Sequence, residues 1–340
     1  MWFLSSLTYW SSLGVVAYTY AGYPALVMSL SKLRPKPVAT AAIEPTVSIV
    51  LAAHNEQATI LAKLENLLSL DYPKEKLEIV VVSDGSTDET EAIVRSYEEK
   101  GVILERIVRA SGKPTALNRG VAKASNEIVV FCDARQRIDP GAIKALVSAF
   151  ADPEIGVVSG ELTIEGNRGP GFYWKYERAI RNAEGQIGSV PGATGALYAI
   201  RRHLFRDIPA ESLLDDVYTP MQIVLQGYRA IFEPQAKVFD KESSLEGEFA
   251  RKARTLAGNY QLVEHLPQII NPLKSKVAFP FVSHKLMRLA CPFALVTLFA
   301  SNAALVLTFA PGWPLYASTM GAQLTTYALA LNGLIRGEKA

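Results

Sequence analysis

Cysteine is nearly absent: Cys132 and Cys291 are the two in 340 residues. Two thiols exclude a disulfide framework and a four-cysteine zinc site, and both read as buried small hydrophobes. Charge is also scarce, at 20% of residues, and balanced, with 35 basic against 33 acidic side chains. That composition offers no concentrated basic face, so nucleic acid is not an expected partner. The four histidines, His54, His203, His265 and His284, show no metal-ligand spacing. No G-x-G-x-x-G follows the first apolar strand-like run, and no G-x-x-x-x-G-K-[ST], H-E-x-x-H or G-x-S-x-G occurs. These absences argue against a dinucleotide oxidoreductase, a P-loop enzyme, a zinc protease and an esterase.

Apolar residues, by contrast, make up 49% of the chain and are concentrated at its ends. Met1 to Ser31 carries no charged side chain, and neither does Leu289 to Ile335, which is broken by Pro311-Gly312-Trp313-Pro314. A membrane span needs about 20 apolar residues. The pattern predicts one span near Leu7–Leu30 and two near Ala290–Ala310 and Leu315–Ile335, joined by a tight turn. No basic residue precedes the first run, so it is expected to be a retained span and not a cleaved signal. Lys32, Arg34 and Lys36 follow the first span; Lys274, Lys276, Lys285 and Arg288 precede the second; Arg336 and Lys339 follow the third. The positive-inside rule places all of them in the cytoplasm. The expectation is a multi-pass protein of the cytoplasmic (inner) membrane, N-terminus outside and middle of the chain cytosolic. The predicted organisation is a span at 1–35, a cytosolic domain at 40–262, interfacial helices at 263–288, and two spans with a short tail at 289–340.

Within the middle, short β-branched runs alternate with helical spacing. Val47–Ala53, Leu77–Val82, Val102–Val108 and Ile128–Cys132 read as strands. Gln57–Leu70 and Ala116–Lys123 read as helices, and Ser86-Thr87-Asp88-Glu89 opens another with a capping hydroxyl and first-turn acids. Such alternation predicts an α/β fold with a parallel sheet. Ligands of such sheets sit at the carboxyl ends of the strands. Those ends read His54-Asn55-Glu56, Asp84-Gly85-Ser86 and Asp133-Ala134-Arg135, so Glu56, Asp84 and Asp133 are expected around one crevice that takes a cation or hydrogen-bond donors.

Seven segments in order carry a resemblance: VSIVLAAHNE, VVVSDGSTDET, GKPTALNRG, VVFCDAR, GATGALYAIRR, LLDDVYTPMQIVLQGYRAIFEP and RKART, across about residues 46 to 256. With them the chain resembles the membrane-bound family 2 glycosyltransferases, the group of cellulose, chitin and hyaluronan synthases. The resemblance implies a GT-A fold, Rossmann-like with a mostly parallel sheet, and inverting transfer of a hexose or N-acetylhexosamine from a UDP-sugar. It implies a growing polysaccharide or lipid-linked acceptor at the cytosolic membrane face. It places Asp84 on the uracil, Asn55 and Glu56 beside base and ribose, and Lys113 near the diphosphate or sugar. Asp133 matches the first acid of the D-x-D metal motif, for Mg²⁺ or Mn²⁺. Asp216 matches the general base, with Asp215 before it, and Arg251 and Arg254 match basic residues that cover the diphosphate. Gly192 and Thr194 fall in a loop like the family's acceptor-side loop.

Two segments depart from the pattern. Arg135 replaces the second D-x-D acid, leaving it to pair with an acid or to touch phosphate. The Q-x-x-R-W segment reads Glu248-Phe249-Ala250-Arg251-Lys252, without the tryptophan that stacks on the acceptor sugar in processive synthases. Three spans would also enclose a thin channel, which points to a homo-oligomer, a membrane partner, or addition of one sugar. Single transfer to a membrane lipid and a non-catalytic sugar-nucleotide sensor are the alternatives. Leu213 and Leu214 are expected to desolvate Asp216 in part, while the helix predicted at Val217–Leu225 favours its ionised form.

Overall fold

The computed structural model describes residues 2–165, 171–241, 245–309 and 311–336, without the side chains of 245, 246, 248 and 334–336. The basic flank at Arg336 and Lys339 therefore lies outside the described side chains. The chain forms two units: Met1–Leu26 with Leu245–Phe249 and Val282–Ala340, and Val27–Ser244 with Ala250–Phe281.

The chain opens with α1 (Trp2–Ala17), which passes through a wider π-helical turn into α2 (Tyr23–Leu33). The second unit then lays down β1 (Val47–Ala53), α3 (Ile60–Leu68), β2 (Leu77–Asp84), α4 (Thr90–Arg95), β3 (Val102–Ile107), α5 (Lys113–Lys123) and β4 (Ile128–Cys132). Next come β5 (Arg137–Ile138), α6 (Ala142–Ser148), β6 (Ile155–Glu165), α7 (Phe172–Ile187), β7 (Leu197–Arg201), α8 (Asp215–Leu225) and β8 (Arg229–Lys241). Helix α9 (Leu245–His265) follows.

The eight strands form one sheet in the order β3-β2-β1-β4-β7-β6-β8-β5. Strands β1 to β4 are parallel neighbours, as their alternation with helices predicts. The second half is mixed. β7 runs antiparallel to β4 and β6, β8 runs parallel to β6, and β5 runs antiparallel to β8. The α/β expectation holds, but the parallel arrangement stops at β4, where the return of the chain through β6 and β7 reverses a strand beside it.

The core explains the register. Ile49, Val50, Leu51, Val80, Val81 and Val130 have no exposed surface, and each such side chain contributes about 1.5–3 kcal/mol by burial. Helix α3 adds Ile60, Leu64 and Leu67 to this core. It starts later than the predicted Gln57, because Gln57–Thr59 form a turn. Helix α5 begins earlier than the predicted Ala116, with Pro114 in its first turn, where the missing N–H costs nothing. At α4 the capping acid is Asp88, whose Oδ1 accepts the Thr90 backbone N–H at 3.0 Å.

After α9 the chain makes short turns, at Pro267–Ile270 and in α10 (Ala278–Pro280), before α11 (Met287–Leu307) and α12 (Trp313–Arg336). In the stretch expected to lie on headgroups, Ile269, Val277 and Ala278 are buried in protein while Leu273 and Phe279 stay exposed. Among the described residues, two helical runs are long and apolar enough to cross a membrane, Trp2–Leu33 and Ala278–Leu307. The third expected span is helical, as α12, but it is not as apolar. Ser318, Thr319, Gln323, Thr325 and Thr326 dilute it.

One of those polar groups, Thr319, and other hydroxyls bond within the first unit. Tyr9 donates to Thr319 at 3.0 Å, Ser6 and Tyr316 meet at 3.1 Å, and Ser12 and Thr297 meet at 2.8 Å. Hydroxyl contacts of this kind hold helices together where no hydrophobic force acts between them. The Tyr9 and Tyr316 rings meet edge-to-face at 5.1 Å.

Candidate active site

The carboxyl ends of β1 and β2 are stitched into one platform. His54 Nδ1 lies 2.6 Å from the Asp84 carbonyl oxygen. The Thr87 backbone N–H donates to Asn55 Oδ1 at 2.8 Å, and the Glu56 N–H donates to Thr90 Oγ1 at 2.8 Å. Asn55 takes a left-handed conformation, with φ of 54°, which asparagine tolerates better than most residues. Glu56 also accepts from Thr59 Oγ1 at 2.6 Å.

Asp84 is buried, and each of its carboxylate oxygens accepts a backbone N–H, from Ser111 at 2.8 Å and from Gly112 at 2.8 Å. The donors expected at this acid are therefore supplied by the protein's own loop. That loop leads into α5, so Asp84 fixes where Lys113 begins. Gly85 permits the approach: its φ is +63°, and a Cβ there would lie 2.4 Å from the Ala110 nitrogen.

A cavity of about 520 Å³ opens beyond β4, and Lys113, Asp133, Asp215, Asp216, Thr194, Arg251 and Arg254 all line it. Asn55, Glu56, Asp84 and Gly192 do not. Of the three strand-end acids, Asp133 lines this cavity. Asp84 is turned into the backbone of the 111–112 loop and Glu56 into the turn ahead of α3, leaving Asp133 on the cavity.

Lys113 sits among the acids. Its Nζ donates to Asp133 Oδ1 at 2.8 Å and lies 3.4 Å from Asp215 Oδ2. Removal from water works against its charge, but Asp215 and Asp133 outweigh that and hold its pKa above the ordinary lysine value. Arg135, in place of the second D-x-D acid, is engaged elsewhere. Its Nε and Nη2 bind the two oxygens of Asp240 on β8, at 3.1 and 2.6 Å. Gln136 adds a third bond to Asp240 at 3.0 Å. Burial would raise the Asp240 carboxyl, yet the bonds from Arg135 and Gln136 carry it below the ordinary range. Behind this loop, buried Lys63 donates to the Gln136 carbonyl at 2.9 Å.

Asp215 and Asp216 form the first turn of α8, where the helix dipole favours ionised acids. Asp215 and Leu214 are buried, Asp216 is half-buried, and Leu213 is exposed. Pro220, four residues on, has no N–H to give to the Asp216 carbonyl. That carbonyl instead accepts the Ala193 N–H at 2.8 Å. The 192–195 loop is thereby tied to the helix that carries Asp216. Gly195 lies flat against the carboxylate: a Cβ there would be 2.9 Å from Asp216 Oδ2. The loop's other anchor is Arg181, which donates to Thr194 Oγ1 at 2.8 Å and to Ser159 Oγ at 2.7 Å.

Residues 48–208 match the Glycosyl transferase family 2 family. The chain carries a family 2 glycosyltransferase domain. It is 25% identical over 264 residues to the probable glycosyltransferase YdaM of Bacillus subtilis, covering 69% of this chain and 60% of that one. It is 27% identical over 242 residues to the poly-beta-1,6-N-acetyl-D-glucosamine synthase of Staphylococcus aureus, covering 68% and 58%. The chain thus spans about three fifths of the length of these curated relatives. Among solved structures, the mannosyltransferase PcManGT of Pyrobaculum calidifontis, in complex with GDP-Man and Mn²⁺, superposes with a TM-score of 0.72. That match has 27% identity and covers 95% of this chain and 97% of that one. The domain has the GT-A-like α/β fold with a mixed sheet.

Among the described residues, no three His, Cys, Asp or Glu side chains converge as a metal cage. The donor set nevertheless fits Mg²⁺ or Mn²⁺ in one mode, where one or two carboxylates hold the ion and substrate phosphates complete it. Asp133 is the carboxylate placed for that, with Asp215 across the Lys113 ammonium.

Several residues of the candidate site had no local sequence signal. Asp240 is 105 positions from Arg135, at the end of a strand whose pairing partner is far away in the chain. Arg181 and Glu161 lie outside the seven segments. Gly195 was legible only as a loop residue, since its packing on Asp216 depends on the path of α8.

Proposed function

We propose that this glycosyltransferase moves a hexose or N-acetylhexosamine from a nucleoside-diphosphate sugar to an acceptor hydroxyl, with inversion at the anomeric carbon. The observation that supports it most is one cavity holding Asp216 together with Lys113, Asp133, Arg251 and Arg254. Asp216 takes the proton of the acceptor hydroxyl as that oxygen attacks C1. The sugar–phosphate bond breaks, and its electrons leave with the diphosphate. Lys113, Arg251 and Arg254 meet the charge that develops on the leaving oxygens. A Mg²⁺ or Mn²⁺ ion, when held at Asp133, would supply further charge neutralisation. Thr194 and Asp215 border the space beside Asp216, and Gly192 shapes the loop behind it.

A UDP-sugar is the first reading of the donor, with Asn55, Glu56 and Asp84 on the platform for its nucleoside. A GDP-sugar is the second. It is favoured by the GDP-Man of the mannosyltransferase structure and by the occupation of both Asp84 oxygens by backbone N–H groups. The acceptor is a growing polysaccharide or a lipid-linked glycan at the cytosolic face of the cell membrane, reached from a multi-pass anchor. A homo-oligomer or a membrane partner would complete any channel.

The test is a donor panel. Protein in membrane lipid, with an acceptor extract and Mg²⁺ or Mn²⁺, is given UDP- and GDP-sugars labelled in the sugar. The reading expects nucleoside diphosphate release and label transfer with at least one donor. Donor binding with no release for any donor would instead favour a sugar-nucleotide sensor.

A further inference from the structure

The cavity has a wall that the donor does not need. Trp174, Arg178 and Arg181 lie four and three residues apart on α7, on one helical face, and all three line the cavity. Arg181 is committed to Ser159 and Thr194, and its guanidinium covers the Phe232 ring at 4.5 Å. Trp174, 38% exposed, is the aromatic surface this wall leaves open.

Beside it stands Glu161 of β6. Its Oε1 pairs with Arg178 Nε at 3.1 Å, while its Oε2 is covered and has no hydrogen-bond partner among the described residues. Burial pushes the Glu161 carboxyl up from its ordinary value. A carboxylate oxygen left without a donor is costly. The last torsion of a glutamate is broad, so a partial rotation can bring the covered oxygen to a donor entering the cavity while Arg178 keeps the other. An aromatic face next to a carboxylate short of donors suits the two sides of a pyranose, its C–H face and its hydroxyls. A phosphate would be repelled by the Glu161 carboxylate and is better met at Lys113, Arg251 and Arg254 of the same cavity.

We propose that Trp174, Glu161 and Arg178 form the subsite for the terminal sugar of a glycan acceptor. The indole stacks under the ring, Glu161 accepts a ring hydroxyl, and another hydroxyl is presented to Asp216. The assignment rests on the glycosyltransferase reading and deepens it: the acceptor ends in a sugar. It also places an aromatic platform on α7, where the Q-x-x-R-W segment has lost its own to Lys252.

Trp174 provides its own probe, since the other tryptophans, Trp2, Trp10 and Trp313, belong to the apolar ends of the chain. Intrinsic emission is followed while short oligosaccharides of glucose, mannose and N-acetylglucosamine are added in the presence of UDP or GDP. At least one should shift the emission of the wild type, and Trp174→Phe should lose the shift. With the same sugar as acceptor, Trp174→Ala and Glu161→Gln should each raise the acceptor KM about tenfold, with donor affinity unchanged. The assignment is overturned if transfer proceeds while no oligosaccharide shifts the emission, or if both variants keep the wild-type acceptor KM. Absence of transfer by the wild type from any donor overturns the glycosyltransferase reading itself, and this subsite with it.

Discussion

Asp240 shows how one side chain can reassign a motif. Sequence alone left Arg135 between a carboxylate and a phosphate. The structure ties it to Asp240 through two bonds on the wall of the cavity. Asp240→Asn should lower stability by about 1–3 kcal/mol at neutral pH, read as a fall in the melting temperature in detergent. The sign of its pH dependence follows from the lowered carboxyl. Its stabilisation is present above the ordinary value of 3.8 and is lost as pH falls below it. The gap between wild type and variant should therefore close on acidification. Gly195 makes the complementary point about catalysis. A methyl group there meets Asp216 Oδ2 at 2.9 Å, so Gly195→Ala should displace the carboxylate and cut kcat about 100-fold, with donor affinity unchanged. Asp133, Asp216 and Lys113 were legible as residue types at recognisable positions. Glu161 and Asp240 were not, because their roles come from partners distant in the chain.

Among the elements, α8 carries the most information. Its interior proline looks like a defect, at about 3 kcal/mol of lost helix propensity. It leaves the Asp216 carbonyl to the Ala193 N–H, and so joins the 192–195 loop to the helix that carries Asp216. Pro220→Ala would restore a competing donor. It should raise or preserve thermal stability while lowering the transfer rate, a pairing that simple loss of structure does not produce. Strands β1, β2 and β4 were readable because each is a β-branched run buried on both faces, while β3, at the sheet edge, is only partly buried and was legible from its β-branched residues. Strands β5 to β8 were not. Their direction is set by mixed pairing, antiparallel for β4–β7, β6–β7 and β5–β8 and parallel for β6–β8, which leaves no periodic trace in one sequence. Helix ends moved by a few residues wherever a cap or a turn decided them, as at Gln57–Thr59 and Pro114.

For the whole molecule, the distribution of charge was the readable feature. Two charge-poor ends correspond to helices, and two of those runs have the length and apolarity of membrane spans. A multi-pass chain should remain with the bilayer through alkaline carbonate washing and be released by detergent; release by carbonate alone would argue against spanning. The hydroxyl pairs joining α1 to α11 and α12 were invisible beforehand, since serine, threonine and tyrosine in an apolar run give no hint of which helix they will meet. The account as a whole depends on Asp216 acting as the base in a cavity that other residues have charged for the donor. The decisive measurement is donor titration calorimetry combined with nucleoside diphosphate release for wild type and Asp216→Asn. The account predicts near wild-type donor affinity and a release rate at least about 100-fold lower in the variant; a variant that turns over at the wild-type rate would contradict it.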